Sequence, residues 1–287
     1  MSDKALRCFR LSRSGIPDRK RPLMLGIDEA GRGPVLGPMV FGGFVCAMDE
    51  HAEKVLKAEI GVNDSKKLTA NKRYSMFLQL NEPQREFAIC AEILTPRFIS
   101  YNMLRRDACN LNQLSHNAAI SIIKHFTSRG YNVKQVYLDA VGPCDKYEAK
   151  LKAIFPGVNF TAASKADSKY TAVSAASIVA KVIRDDIIEA WFKDSEEPVQ
   201  IGSGYPGDPV TKNLLSSTID KTFGFSEIVR YSWATTKNIL DDSSKVTPFD
   251  WYDPDENEDD DVRHRRRKML EDTQLAPFRT IKRIREL

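Results

Sequence analysis

Gly26-Ile27-Asp28-Glu29-Ala30-Gly31-Arg32-Gly33-Pro34 sets two adjacent carboxylates where a short apolar run, Leu23 to Ile27, gives way to a glycine-rich loop. A second apolar run, Val40 to Met48, follows the loop, and both read as buried strands. Neighbouring side chains on a strand point to opposite faces. Asp28 and Glu29 therefore meet at one site only if the strand breaks there, which Gly31 permits. Glycines also let backbone N–H and C=O groups come close to a ligand. Arg32, between Gly31 and Gly33, suits a phosphate contact. The plainer reading is a strand end with solvated charges and an ordinary turn.

Working outward, Thr69 predicts the N-cap of a helix over 70–81, and Glu86 to Leu94 alternates as a strand. Leu111, Leu114, Ala118, Ile122, Ile123 and Phe126 recur at helical spacing within 110–129. Gln135 to Ala140 returns to strand with Asp139 near its end, and a helix over 146–154 and a strand over 158–163 follow. The longest helical stretch, 168–194, opens with Ser174, Ala175 and Ser177, small enough to let a sheet or another backbone approach closely. Strands first, then strand and helix in alternation, give an α/β domain on a mixed sheet. Asp139 and Asp167 sit at strand and helix ends like the first pair. Taken alone, Asp139 reads equally as a turn starter and Asp167 as an N-cap. Open α/β sheets do place their sites beyond the carboxyl ends of strands. Intervals of 110 and 28 residues do not by themselves establish that these ends converge.

The 287 residues are 42% apolar and 29% charged, an ordinary globular composition. No apolar run approaches the roughly 20 residues of a membrane helix. The N-terminal lysines and arginines have no apolar core behind them, unlike a secretory signal. Five cysteines without a Cys-x-x-Cys pair fit a reducing compartment. Membrane, secreted and collagen-like classes are excluded on this reading. The net charge of +4 is uneven: from Asp241 onward there are 10 Lys+Arg against 13 Asp+Glu, which leaves +7 on residues 1–240. A basic body of that size suits a polyanionic partner. Residues 1–22 read as a basic flexible arm, 23–240 as the folded domain and 241–287 as a charged tail. The tail holds an acidic run at 253–261, the basic cluster RHRRRK at 263–268 and a short amphipathic stretch, Leu275 to Leu287, which suits a docking helix. RHRRRK, like DRKRP at 18–22, reads either as solvated charge or as a nuclear import signal.

GIDEAGRGPVLGP resembles the signature of type 2 ribonuclease H, the enzymes that cut RNA paired with DNA. The resemblance continues through Asn63-Asp64-Ser65-Lys66, Asn110-Leu111-Asn112 with Leu114-Ser115-His116, and Val136 to Pro143. It then takes in Lys165-Ala166-Asp167, the run from Ser174 to Asp185, and Gly202-Ser203-Gly204-Tyr205-Pro206. These motifs stand in the family's order across residues 23–240. The 28-residue interval from Asp139 to Asp167 suits archaeal and eukaryotic members, and the tails resemble those of eukaryotic catalytic subunits.

The resemblance implies a ribonuclease H-like mixed sheet flanked by helices, with a helical C-terminal portion and a flexible tail. It makes Asp28, Glu29, Asp139 and Asp167 the catalytic carboxylates and the ligands of two Mg²⁺ or Mn²⁺ ions. Hard divalent cations take oxygen donors, and two of them serve phosphodiester hydrolysis well. The histidines show no metal spacing, and His116 is read as a packing or hydrogen-bonding residue. Gly31, Arg32 and Gly33 would read a ribose 2′-hydroxyl, and Tyr205 would pack on the ribose at the cut. Lys66, Asn110, Lys165, Lys181 and Arg184 match polar positions beside the nucleic-acid backbone, each open to a second reading as surface charge. The implied activity is hydrolysis of the RNA strand of RNA/DNA hybrids and incision at single ribonucleotides in duplex DNA. The ends left are 5′-phosphate and 3′-hydroxyl. Eukaryotic members work with accessory B and C subunits in the nucleus. Two other classes stand against this reading: a hybrid-binding protein without catalysis, and a related nuclease such as a junction resolvase. The four acidic residues argue against the first, and Gly-Arg-Gly with Tyr205 argues against the second.

Overall fold

A computed structural model describes residues 10–14, 18–62, 68–139, 144–193, 199–242 and 244–247, the first of these by backbone alone. Lys66 with Asn63 to Ser65, the turn after Asp139 at 140–143, and the acidic, basic and docking segments of the tail lie outside the described residues. The elements fall in one compact unit, Leu6–Val246.

Six strands form a mixed sheet: β1 (Arg10–Ser14), β2 (Leu23–Ala30), β3 (Met39–Ala47), β4 (Ala88–Leu94), β5 (Val133–Asp139) and β6 (Asn159–Ala163). Their order is β1-β4-β3-β2-β5-β6. The β1–β4, β4–β3 and β3–β2 pairs are antiparallel, and β2–β5 and β5–β6 are parallel. The mixed α/β sheet read from the sequence is therefore present. The expected arm over 1–22 is not featureless, because Arg10–Ser14 pairs with β4 residue by residue. Its arginines conceal an edge strand whose stability comes from backbone pairing, and charge is common on such edges.

The helices are α1 (Glu50–Lys54), α2 (Ala70–Leu80), α3 (Pro96–Leu104), α4 (Leu111–Thr127), α5 (Cys144–Ile154), α6 (Thr171–Phe192), α7 (Pro209–Thr218) and α8 (Ala234–Leu240). Thr69 caps α2 as its position predicts, accepting from the Lys72 amide. The apolar stripe of α4 buries Leu114, Ala118, Ile122 and Phe126 on one face of the sheet with Leu25, Ile27, Val136 and Leu138. On the other face α6 buries Ala172, Ala175, Ala176, Val179 and Ala180. It comes unusually close: a Cβ on Gly26 would stand 2.1 Å from the Ala172 carbonyl oxygen, and one on Gly42 would stand 2.2 Å from that of Ala176. The small residues of α6 and two glycines of the sheet thus press helix backbone onto strand backbone. A third, smaller core joins Val35 and Leu36 of the loop after β2 to Leu215, Phe225, Ile228 and Val229 of the C-terminal portion. Among the described residues no helix is long and apolar enough to cross a membrane.

Candidate active site

The carboxylates gather at the carboxyl ends of β2 and β5, which are parallel neighbours at the centre of the sheet. The expected break at Asp28 is corrected. The strand runs on to Ala30, with Asp28, Glu29 and Ala30 paired to Gly42, Phe41 and Val40. Ladder pairing with β3 outweighs the flexibility that Gly31 offers. Asp28 and Glu29 therefore project to opposite faces. Asp28 turns toward α6 and is 5% exposed, accepting the Glu29 amide at 2.8 Å and bonding Ser177. Glu29 turns toward α4, in a cleft with Arg32, Ser115, His116, Asp139 and Tyr147. Asp139 ends β5 and accepts the Ala166 amide at 3.1 Å. Asp167 lies buried in the next residue of that turn, its carbonyl accepting the Ser174 hydroxyl. It is not the N-cap of α6, a position held by Tyr170.

Burial is the largest influence on Asp28 and pushes its carboxyl well above the usual range. The Glu29 and Asp139 charges push the same way, against the Ser177 bond. The three groups feel one another across the strand ends. Among the described residues no three His, Cys, Asp or Glu side chains form a ready-made metal cluster. The donor set itself is all carboxylate oxygen, the type that hard divalent cations take. His116 stacks on Tyr147 with ring centres 4.0 Å apart, in keeping with a packing role. Burial, Lys150 and Arg32 push it down, so it stays neutral near physiological pH.

The loop beyond Ala30 is tightly held. Gly31 and Gly37 have φ of +80° and +82°, open to glycine and costly for other residues. The Arg32 side chain reaches α4, donating to Ser115 Oγ at 2.7 Å and Asn112 Oδ1 at 2.5 Å. Asn110 is the N-cap of α4, in a reciprocal capping box with Gln113. Its carbonyl oxygen is used there, so the contact implied by resemblance is left to its amide NH₂. Arg184 is also redirected. Its guanidinium donates to the carbonyls of Pro38 at 3.3 Å and Leu36 at 3.1 Å, and its side chain is largely buried. It holds the loop from beneath instead of facing a ligand. Lys165 is exposed with φ +55°, and Lys181 is half-buried on α6.

Tyr205 is 52% exposed and belongs to a turn braced by Asp208. The Asp208 carboxylate accepts from the Ser203 amide at 2.5 Å, the Ser203 hydroxyl at 2.7 Å and the Val210 amide at 2.9 Å. These bonds hold its carboxyl down to about 2. The turn is tied to the loop because the Gly204 carbonyl accepts the Val35 amide at 2.8 Å.

Two residues that the sequence reading passed over complete the loop. Arg230 is fully buried and donates to the carbonyls of Gly31 at 2.5 Å, Arg32 at 3.0 Å and Gly37 at 2.9 Å. Its guanidinium lies 4.8 Å from the centre of the Trp233 ring, and Trp233 Nε1 donates to the Gly33 carbonyl at 2.9 Å. Burial and the nearby Arg184 charge push Arg230 down to about 9. The one available signal was an arginine inside the apolar run Phe225 to Trp233.

The ribonuclease HII family profile matches residues 25–236. The catalytic-type A subunit of ribonuclease H2 from Caenorhabditis elegans is 43% identical over 242 residues, which cover 82% of this chain and 80% of that one. The human protein of the same name is 43% identical over 245 residues, covering 83% and 80%. The crystal structure of ribonuclease H2 from Pyrococcus horikoshii OT3 superposes with a TM-score of 0.61 at 34% identity, covering 75% of this chain and 96% of that one. With that match spanning the sheet, the acidic strand ends, the glycine loop and the Tyr205 turn alike, the chain belongs to the ribonuclease HII family of ribonucleases H.

Proposed function

We propose that this chain is a metal-dependent endonuclease that hydrolyses the RNA strand of RNA/DNA hybrids and incises at ribonucleotides embedded in duplex DNA. It leaves 5′-phosphate and 3′-hydroxyl ends, acts in the nucleus in replication and ribonucleotide excision, and works as the catalytic member of a heterotrimer with B and C subunits. The observation that carries the reading is the meeting of Asp28, Glu29 and Asp139 at adjacent strand ends, beside a loop whose backbone is open to a sugar. Like charges crowded around a buried aspartate favour a cation between them.

Asp28, Glu29, Asp139 and Asp167 would hold Mg²⁺ or Mn²⁺ in a two-metal site. The chemistry that two such ions supply when bound is activation of a water and neutralisation of charge at the leaving oxygen. The chain's own groups orient the carboxylates, through Ser177 on Asp28 and the Ala166 amide on Asp139. Glycine backbone at Gly31 and Gly33 lets a ribose come close enough for its 2′-hydroxyl to be read. Tyr205 offers a ring to the sugar, and exposed Lys165 offers charge to the phosphates. Arg32 is held by Ser115 and Asn112 at the edge of the same cleft. The test is cleavage of a duplex containing one ribonucleotide, with and without the B and C subunits. Metal-dependent incision beside the ribonucleotide is expected. Cleavage of an all-DNA junction instead would overturn the reading.

A further inference from the structure

The carbonyls of Gly31, Arg32 and Gly33 are all engaged from the interior, two by Arg230 and one by Trp233. No described peptide bond is cis. In a trans peptide the C=O and the N–H of the following residue point in opposite directions. With the Gly31 and Arg32 carbonyls turned onto buried Arg230, the amides of Arg32 and Gly33 are turned away from it. The next peptide adds no donor, because Pro34 has no N–H. Two consecutive amide donors thus face outward at half-buried Arg32 and exposed Gly33, beside the Tyr205 ring.

The geometry points to Arg230 and Trp233 as positioning residues for ribose recognition: by fixing the three carbonyls they aim two amides at a 2′-hydroxyl and set the preference for ribose over deoxyribose. This rests on the proposed reading of the loop. A 2′-hydroxyl oxygen accepts hydrogen bonds, and the hydrogen that replaces it in DNA does not. A site built to bond a hydroxyl rejects the analogue lacking it, because its donors are then left unpaired. Only a planar fork suits the inner side of this loop. Three guanidinium nitrogens reach three different carbonyls, which a single ammonium does not span. The Trp233 ring against the guanidinium fixes the plane of that fork.

The experiment measures equilibrium binding of the full chain, in chelator, to two duplexes that differ by one ribose. The readout is the ratio of the two Kd values, with thermal unfolding recorded alongside. Trp233→Phe deletes one N–H and keeps a ring, and should lower the ratio about fivefold, the worth of one neutral hydrogen bond. Arg230→Lys should lower it by more than about tenfold, since several bonds go together. If Arg230→Lys does not fold, Trp233→Phe carries the test alone. A folded Trp233→Phe that keeps the wild-type ratio overturns the inference, and so do parallel losses for both duplexes. A wild-type ratio of one places the failure with the ribose reading of the loop itself.

Discussion

Tyr205 lies against the bare backbone of Gly33: a Cβ at Gly33 would stand 2.8 Å from Tyr205 Cε1. The ring is therefore placed by the absence of a side chain opposite it. Tyr205→Ala should lose roughly tenfold more activity on a single embedded ribonucleotide than on a long hybrid, about 1.4 kcal/mol of positioning. On a long hybrid neighbouring hydroxyls and phosphates share the task. Gly33→Ala, which pushes the ring aside, should show the same selective loss. Single-turnover cleavage of both substrates checks this, and equal losses would assign Tyr205 to the fold of its turn.

Asp139 closes a parallel strand and is held by the Ala166 amide, so its replacement by a neutral isostere keeps the shape. Asp139→Asn should lower turnover by roughly 10²–10⁴-fold while sparing hybrid affinity. Rates at saturating Mg²⁺ or Mn²⁺, with binding measured separately, decide it. Near-wild-type cleavage would remove Asp139 from the catalytic set.

Asp28 makes a prediction about stability and pH. Its carboxyl is raised in the folded chain, so between the ordinary value of 3.8 and the raised one the folded state binds a proton that the unfolded state has released. Stability from this group is therefore lost as pH rises through that window, and stays lost above it. Without divalent cations, Asp28→Asn should unfold at a higher temperature than wild type near neutral pH. The gain is about 2–4 °C per kcal/mol relieved, and it should vanish as pH falls to about 4. Saturating Mg²⁺ should narrow or reverse the difference, because it stabilises only the chain that binds it. A wild type that is more stable than Asp28→Asn in chelator would contradict the crowding of charge.

Gly42 tests the close seat of α6. An added methyl would meet the Ala176 carbonyl, which is backbone and does not swing aside. Gly42→Ala should cost about 1–3 kcal/mol and lower the unfolding temperature accordingly. It should also disturb Asp28, which pairs with Gly42 across the ladder. Thermal melts with activity on the same preparation check both effects.

The central strands, α2, α4 and α6 were legible in the sequence because apolar periodicity and caps such as Thr69 are local signals. Small residues in α6 correctly announced a close approach. The local signal failed where partners decide: β2 continues through Asp28 and Glu29 because β3 pairs with it, and Gly31 alone could not reveal that. Arg184 and Asn110 have the look of ligand contacts, yet their hydrogen bonds are spent within the chain. Arg230 and Trp233 act on a loop about 200 residues away, a relation that no spacing encodes.

That distance orders events during synthesis. Residues 31–37 leave the ribosome early, but the groups that fix them are Gly204, Ile228, Arg230 and Trp233. A nascent chain that has completed β2, β3 and β4 has an acidic strand end and an unshaped loop. Non-local contacts of this kind form late, after the entropy of closing a long stretch of chain has been overcome. The substrate-reading surface thus comes into being only when translation has passed Trp233, so a ribosome-bound fragment shorter than that carries the carboxylates without the selectivity.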